Sequence, residues 1–171
     1  MLDNEFALVT GATRGIGRAI ALELGRRGAR VVGTATSEAG AIAIGTAFTE
    51  AGLNGRGVVL DVSNAESVER CFKDLEAAEG TPSILVNNAG VTRDGLLMRM
   101  SAEDWQAVLD TDLTAVYRTC KAVMRGMMKA RRGDTARALG ARPARARSAS
   151  REPTSRARLF EKPIMPALAA A

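Results

Sequence analysis

The first residues here whose spacing could do chemistry are Thr10-Gly11-Ala12-Thr13-Arg14-Gly15-Ile16-Gly17. This Gly-x-x-x-Gly-x-Gly run follows a compact apolar stretch, Phe6 to Val9, and opens a segment with Ile16, Ile20 and Leu24 at helical spacing. Glycines at a strand-to-helix junction permit a tight turn and close backbone approach to an anion, which the free N–H groups of the helix start then face. The chemistry is phosphate binding, and the expected ligand is a dinucleotide. The next segment, Gly33-Thr34-Ala35-Thr36-Ser37, offers hydroxyls where an NAD site carries an acid for the ribose, and no carboxylate comes before Glu38. That place tolerates a 2′-phosphate, and Arg14 beside the turn could neutralise it, so NADP(H) is expected. The bland alternative makes Arg14 a solvated surface residue and Thr36-Ser37 the cap of the next helix.

Much other chemistry is excluded. The 171 residues contain no histidine, which removes Ser-His-Asp and Cys-His nucleophile systems and imidazole metal sites. Two cysteines, Cys71 and Cys120, make neither a metal cluster nor a disulfide framework and read as buried thiols. The acidic start Met1-Leu2-Asp3-Asn4-Glu5 does not read as a secretory or transit peptide, and no uncharged run approaches a bilayer span. A soluble, cytoplasmic protein is expected.

The elements that must position the glycine turn alternate. Arg30 to Thr34 reads as a second strand, Ala39 to Ala51 as a second helix, Gly57 to Leu60 as a third strand closed by Asp61. Ser63 is placed to cap a third helix reaching about Ala78, and Ile84 to Val86 is a fourth strand. Continuous apolar strands alternating with helices imply a doubly wound, Rossmann-like α/β sheet, strand order 3-2-1-4. Ser101 opens a capping box before one or two helices running to about Ala130. Along them Leu109, Leu113, Val116, Cys120, Val123, Met124 and Met127 form a stripe that either packs on the sheet or makes an oligomer contact.

Past Gly133 the texture changes. Residues 131–171 hold ten Lys/Arg and three Asp/Glu, against fourteen and sixteen in residues 1–130, so the net charge of +5 belongs to the tail. Four of the five prolines also fall there. Residues 134–171 therefore read as a separate, disordered Arg/Ala/Pro-rich tail after a domain spanning 1–133. Two origins stay open: a frameshift in a GC-rich gene, or a genuine basic arm for nucleic acid or an acidic partner. The near-neutral first 130 residues give no electrostatic reason to expect nucleic acid or membrane binding.

With the glycine turn, Asn87-Asn88-Ala89-Gly90 carries a resemblance to the short-chain dehydrogenase/reductases. More narrowly the chain resembles the 3-oxoacyl-[acyl-carrier-protein] reductases of bacterial fatty acid synthesis. Ala7 to Gly11, Gly33 to Ser37, Thr92-Arg93-Asp94, Leu97-Met98 with Met100, and Lys121 to Arg125 carry that closer likeness, over residues 5 to about 133. The resemblance implies that Gly11, Ala12, Thr13, Arg14, Gly15, Ile16 and Gly17 wrap the cofactor phosphates. Thr36 would lie at the 2′-phosphate, Asp61 and Val62 at the adenine, and Asn88, Ala89 and Gly90 along the ribose and nicotinamide. It gives Asn87 a structural role as well. Arg131 falls where the family places a patch for the acidic acyl carrier protein, and the family is homo-oligomeric.

By the same resemblance, hydride passes from NADPH to the 3-oxo carbon while a tyrosine protonates the oxygen. A lysine four residues on lowers the tyrosine pKa, and a serine and an asparagine assist. Here the asparagine position is Asp112, and the serine strand and Tyr-x-x-x-Lys helix expected after Gly133 are missing. Tyr117 and Lys121 match Tyr-x-x-x-Lys but lie on the helix after strand four, so Tyr117 is expected to be a core or helix-contact aromatic, not a catalytic one. The expectation is a chain catalytically incompetent alone, with strand four an unpaired edge. The alternative is a non-catalytic NADP-binding or interaction protein whose basic arm does the work.

Overall fold

The computed structural model describes residues 1–138. Five parallel strands make one sheet: β1 (Phe6–Val9), β2 (Arg30–Ala35), β3 (Gly55–Val59), β4 (Ile84–Asn87) and β5 (Asp134–Arg137), in the order β3-β2-β1-β4-β5. The helices are α1 (Gly15–Arg26), α2 (Glu38–Glu50), α3 (Ala65–Glu79), α4 (Ala102–Leu109) and α5 (Ala115–Ala130). β1 pairs Leu8 with Val32 on one side and with Leu85 on the other, so the first strand lies at the middle of the sheet. All four of its residues are buried, which is why the sequence there is continuously apolar rather than alternating.

Two cores cover the two faces. Val9, Val31 and Val86 meet Ala21 of α1 and Ile44 and Phe48 of α2 on one face. Leu8, Val32 and Leu85 meet Phe72 and Leu75 of α3 and Val123 of α5 on the other. α1 buries only Gly17, Ala21 and Gly25, and this small stripe brings its axis close to the sheet and puts Gly25 against Leu53.

Several sequence expectations need correction. β4 is not an edge: β5 pairs with it in parallel, Ile84 opposite Asp134 through Asn87 opposite Arg137. The compact unit thus runs past Gly133 through Arg137, where disorder was expected; the rest of that tail, from residue 139, lies outside the described residues. The entry to β5 is fastened at the amino end of the sheet. Arg132 donates to the Asn4 carbonyl (3.2 Å) and pairs with Glu5 (3.7 Å), and Glu5 in turn accepts from the Ser83 hydroxyl. The third helix is capped by Asn64, which accepts from the Ser67 N–H, while Ser63 turns back to Asp61. Ser101 does cap α4, accepting from Asp104 N–H.

The stripe beyond Ser101 divides. Val123 is buried and Cys120 and Met127 pack on the core, whereas Leu113, Tyr117, Met124 and Met128 face outward. Tyr117 is 63% exposed, so it is no core aromatic; its ring instead carries the Lys121 ammonium 5.6 Å from its centroid. Between α4 and α5 the chain makes one π-turn, Asp110–Thr114, a widened coil that recurs at functional sites.

Candidate functional site

The glycine run forms the link from β1 into α1, and each glycine is there for a different reason. Gly11 has φ +66°, and a Cβ on it would lie 2.9 Å from the Ala89 Cα, so the turn presses directly on the segment after β4. Gly17 has no positive φ, but a Cβ there would collide with the Gly11 carbonyl oxygen and the Asn88 amide. Gly15 has φ +57° and nothing within 4 Å of where a Cβ would stand. Two glycines therefore serve internal packing, and the third borders open space.

Gly15 is the first residue of α1, and that helix start carries no side-chain cap. Arg14 occupies the N-cap of α1 with no side-chain cap, and the first turn of α1 contains no acid. Among the described helices of eight residues or more that begin after a loop, α2, α3 and α4 are each capped by a side chain, from Ser37, Asn64 and Ser101. Uncapped N–H groups and the positive end of the helix dipole make an anion site.

Thr10 ties the turn to β4. Its side chain is 1% exposed, and its hydroxyl accepts from the N–H groups of Asn88 and Ala89, both at 2.9 Å. The hydroxyl also donates to the Val86 carbonyl at 3.4 Å. Asn88 returns the contact, its amide donating to the Thr10 and Gly11 carbonyls at 3.0 Å each. Both amide hydrogens are thus spent holding the turn. Thr34 completes the cradle from β2, its hydroxyl accepting from Gly11 N–H (3.3 Å) and its carbonyl from Ala12 N–H (2.9 Å).

Around this cradle lie the other residues singled out by sequence. Ala12 is buried; Thr13, Arg14 and Ile16 are exposed on the rim. Arg14 makes no ion pair among the described residues. Thr36 is exposed at the end of β2, and Ser37 caps α2 by accepting from Gly40 N–H (3.2 Å). Thr13 lies against that cap, since a Cβ on Gly40 would stand 3.0 Å from the Thr13 methyl. Asp61 is exposed after β3, its carboxylate accepting from the Ser63 N–H (2.9 Å) and hydroxyl (2.6 Å), with Val62 buried beneath. Asn87 is buried, accepting from the Thr119 hydroxyl at 2.6 Å and so joining β4 to α5.

Asp112 sits in the π-turn and reaches the segment after β4. Its carboxylate accepts from Val91 N–H at 2.9 Å and stands 3.2 Å from where a Cβ on Gly90 would be. The structure thus gathers the glycine turn, Thr36, Asp61 and Asn88 to Gly90 at the carboxyl ends of four adjacent strands, the side of such sheets that binds ligands. Arg131 is elsewhere. It ends α5 in the left-handed conformation (φ 51°), one residue before the Arg132 contact with Asn4, at the amino end of the sheet.

Sequence reasoning missed the holding roles of Thr10, Thr34 and Thr119. The signal available was the pairing of each threonine with a glycine- or asparagine-bearing strand end. No group of acids or thiols among the described residues could hold a metal ion. Cys71 is buried, and burial, with Asp74 adding to it, pushes its thiol up to about 11, so it is an inert thiol at neutral pH. No described helix is long and apolar enough to cross a membrane.

Residues 5–136 match the short chain dehydrogenase family. The chain is 54% identical over 132 residues to the 3-oxoacyl-[acyl-carrier-protein] reductase FabG of Vibrio cholerae, covering 77% of this chain and 53% of that protein. The Pseudomonas aeruginosa protein of the same name matches equally, and that of Escherichia coli K12 is 53% identical over 131 residues, 52% of its length. The chain spans about half the length of these relatives.

Proposed function

The chain belongs to the short chain dehydrogenase family, and on that premise we propose that it binds NADP(H) at the glycine turn without catalysing reduction by itself. The observation that carries this reading is the uncapped start of α1, with open space at Gly15. The residues fit a dinucleotide. The pyrophosphate would be held by N–H groups of Thr13 to Gly17, with Arg14 and Thr36 at the 2′-phosphate. Asp61 and Val62 would border the adenine, and Ala89 and Gly90 the ribose and nicotinamide side. Asn88 acts on the ligand indirectly, by fixing the turn.

The lineage points to reduction of 3-oxoacyl groups on acyl carrier protein, the activity that the longer relatives' name states, and for the ancestry of this chain we read NADPH as the reductant and the cytoplasm as the setting. When bound, NADPH supplies the hydride of that reaction. On this reading the proton donor is not among these 171 residues. The chain's one tyrosine, Tyr117, is exposed on α5 with the Lys121 ammonium over its ring, and we read it as a helix-surface aromatic and not the catalytic phenol. Asp112, at the family's asparagine position, holds the Val91 N–H and, when ionised, has no side-chain proton to give. Arg131 is available to an acidic carrier protein, but at the amino end of the sheet.

The experiment is turnover by the purified full chain, free of host reductase, with NADPH and a 3-oxoacyl thioester. We expect saturable nucleotide binding and no NADPH oxidation. Steady turnover abolished by Tyr117→Phe would overturn the reading. The second reading, a working basic arm, draws on the +7 net charge of residues 131–171, ten Lys/Arg less three Asp/Glu. It predicts nucleic-acid affinity that falls steeply with salt and vanishes on deleting 141–171. Codons for a serine strand and Tyr-x-x-x-Lys in another frame beyond codon 133 would instead establish the frameshift.

A further inference from the structure

The carboxylate of Asp112 stands beside the segment that follows β4 with no counter-charge among the described residues. Its Oδ1 accepts from the Val91 N–H at 2.9 Å and lies 3.2 Å from where a Cβ on Gly90 would stand, with Oδ2 at 3.5 Å from the same point. Gly90 is exposed and contributes no side chain to screen that carboxylate. The arginines close to it in sequence are engaged elsewhere. Arg93 pairs with Asp104 at 3.1 Å, and Arg118 on α5 donates to the Ser63 carbonyl at 2.6 Å. An asparagine oxygen could accept the same Val91 N–H, so that bond does not by itself call for a charge. The protein holds a negative charge where an oxygen alone would fasten the backbone.

What the charge does there rests on the glycine turn binding NADP(H). With the pyrophosphate at the start of α1, the two halves of the nucleotide run to opposite sides across the strand ends. The half bearing the 2′-phosphate goes towards Thr36 and Asp61, after β2 and β3. The other half is left the side of β4, where Ala89, Gly90 and Val91 follow the strand. The two redox forms of the nucleotide share every group except the nicotinamide ring, which carries a positive charge when oxidised and none when reduced. A carboxylate bordering that half attracts the first form and is nearly indifferent to the second.

We propose that the Asp112 carboxylate makes this site select NADP⁺ over NADPH, by bordering the one part of the ligand whose charge differs between them. The phosphates cancel from the comparison, since both forms carry the same ones. Arg14 and the start of α1 thus govern how tightly either form binds, and Asp112 governs the ratio. For one charge pair at a half-buried position the expected effect on that ratio is roughly fivefold.

The test is the pair of dissociation constants of the full chain, NADPH followed by its fluorescence and NADP⁺ by competing NADPH away. Asp112→Asn keeps the shape and an acceptor for Val91 and deletes only the charge. It should weaken NADP⁺ relative to NADPH by roughly fivefold. A merely structural role in holding Val91 would weaken both forms together and leave the ratio alone. Asp110→Asn removes the same charge from the same π-turn, but there the side chain accepts from Gln106 of α4 at 3.2 Å, so its ratio should stay near that of the wild type. In the wild type the preference should also shrink as salt rises, because a half-buried charge is screened in part. A ratio unchanged by Asp112→Asn, or moved as far by Asp110→Asn, would overturn the proposal while leaving nucleotide binding intact. If Asp112→Asn fails to fold, the salt series decides, and a wild-type ratio indifferent to salt counts against Asp112. A folded wild type that binds neither form would overturn the reading of the site, and the proposal with it.

Discussion

Replacing Thr10 by valine keeps the shape of the side chain and deletes the hydroxyl that fastens the glycine turn to β4. Two N–H groups, of Asn88 and Ala89, then lose their acceptor inside a site where Thr10 is 1% exposed. Each buried donor left unpaired costs about 1–3 kcal/mol, which sets the gross loss at roughly 2–6 kcal/mol. The added methyl returns about 1 kcal/mol of apolar burial. The Val86 contact at 3.4 Å is too long to add much. A net loss of about 3 kcal/mol is large against a total stability of roughly 5–15 kcal/mol. At a urea dependence of about 2 kcal/mol per molar, the unfolding midpoint should fall by roughly 1.5 M. Thr10→Ser keeps the acceptor and should recover most of the shift. A valine variant within about 0.3 M of wild type, an energy difference under roughly 1 kcal/mol, would refute the role assigned to this hydroxyl.

Other consequences follow from the same geometry. Gly17→Ala drives a methyl into the Gly11 carbonyl and the Asn88 amide, and should lower stability by about 1–3 kcal/mol in a denaturant melt. Arg14→Ala should weaken NADPH binding about tenfold or more while leaving NADH nearly unchanged, as loss of a charge-assisted contact to a 2′-phosphate requires; titrating both nucleotides checks it. For Cys71 the folded pKa is raised, so the thiol contributes stability that is intact below pH 9 and lost as pH rises towards about 11. Thermal melts between those pH values should therefore decline more steeply in the wild type than in Cys71→Ala.

The parts of the fold legible in the sequence are those where local pattern and final position agree. β1 reads as a buried strand because all of Phe6 to Val9 enters the core, and α1 reads as a helix because glycines announce its start. β5 was illegible because Asp134, Thr135, Ala136 and Arg137 have no strand pattern; the crossover from α5 and the Arg132 fastening place them beside β4. The π-turn at Asp110–Thr114 leaves no trace in residue type. Ser63 and Asn64 are both able to cap α3, and only the Asp61 carboxylate, which engages Ser63, decides between them. On α5 the apolar stripe spans more than one face, so Val123 is buried while Met124 and Met128 are left facing out.

At the site, the sequence marked the turn but not the mechanism that holds it. Asn88 stands among residues expected to touch the ligand, and its amide is committed to Thr10 and Gly11. Such a commitment depends on how closely β1 and β4 approach, which no spacing along the chain encodes. Gly15 could be separated from Gly11 and Gly17 only in three dimensions, by what a side chain would meet at each.

That separation supplies the most direct test. The full chain is titrated with NADPH, following nucleotide fluorescence, alongside Gly15→Asp, whose Cβ meets nothing within 4 Å and whose aspartate carries only the modest strain of a left-handed backbone. Saturable binding by the wild type, abolished in a Gly15→Asp variant that still melts cooperatively, is the predicted result. Binding that is equal in the two proteins, or absent from a folded wild type, would contradict it.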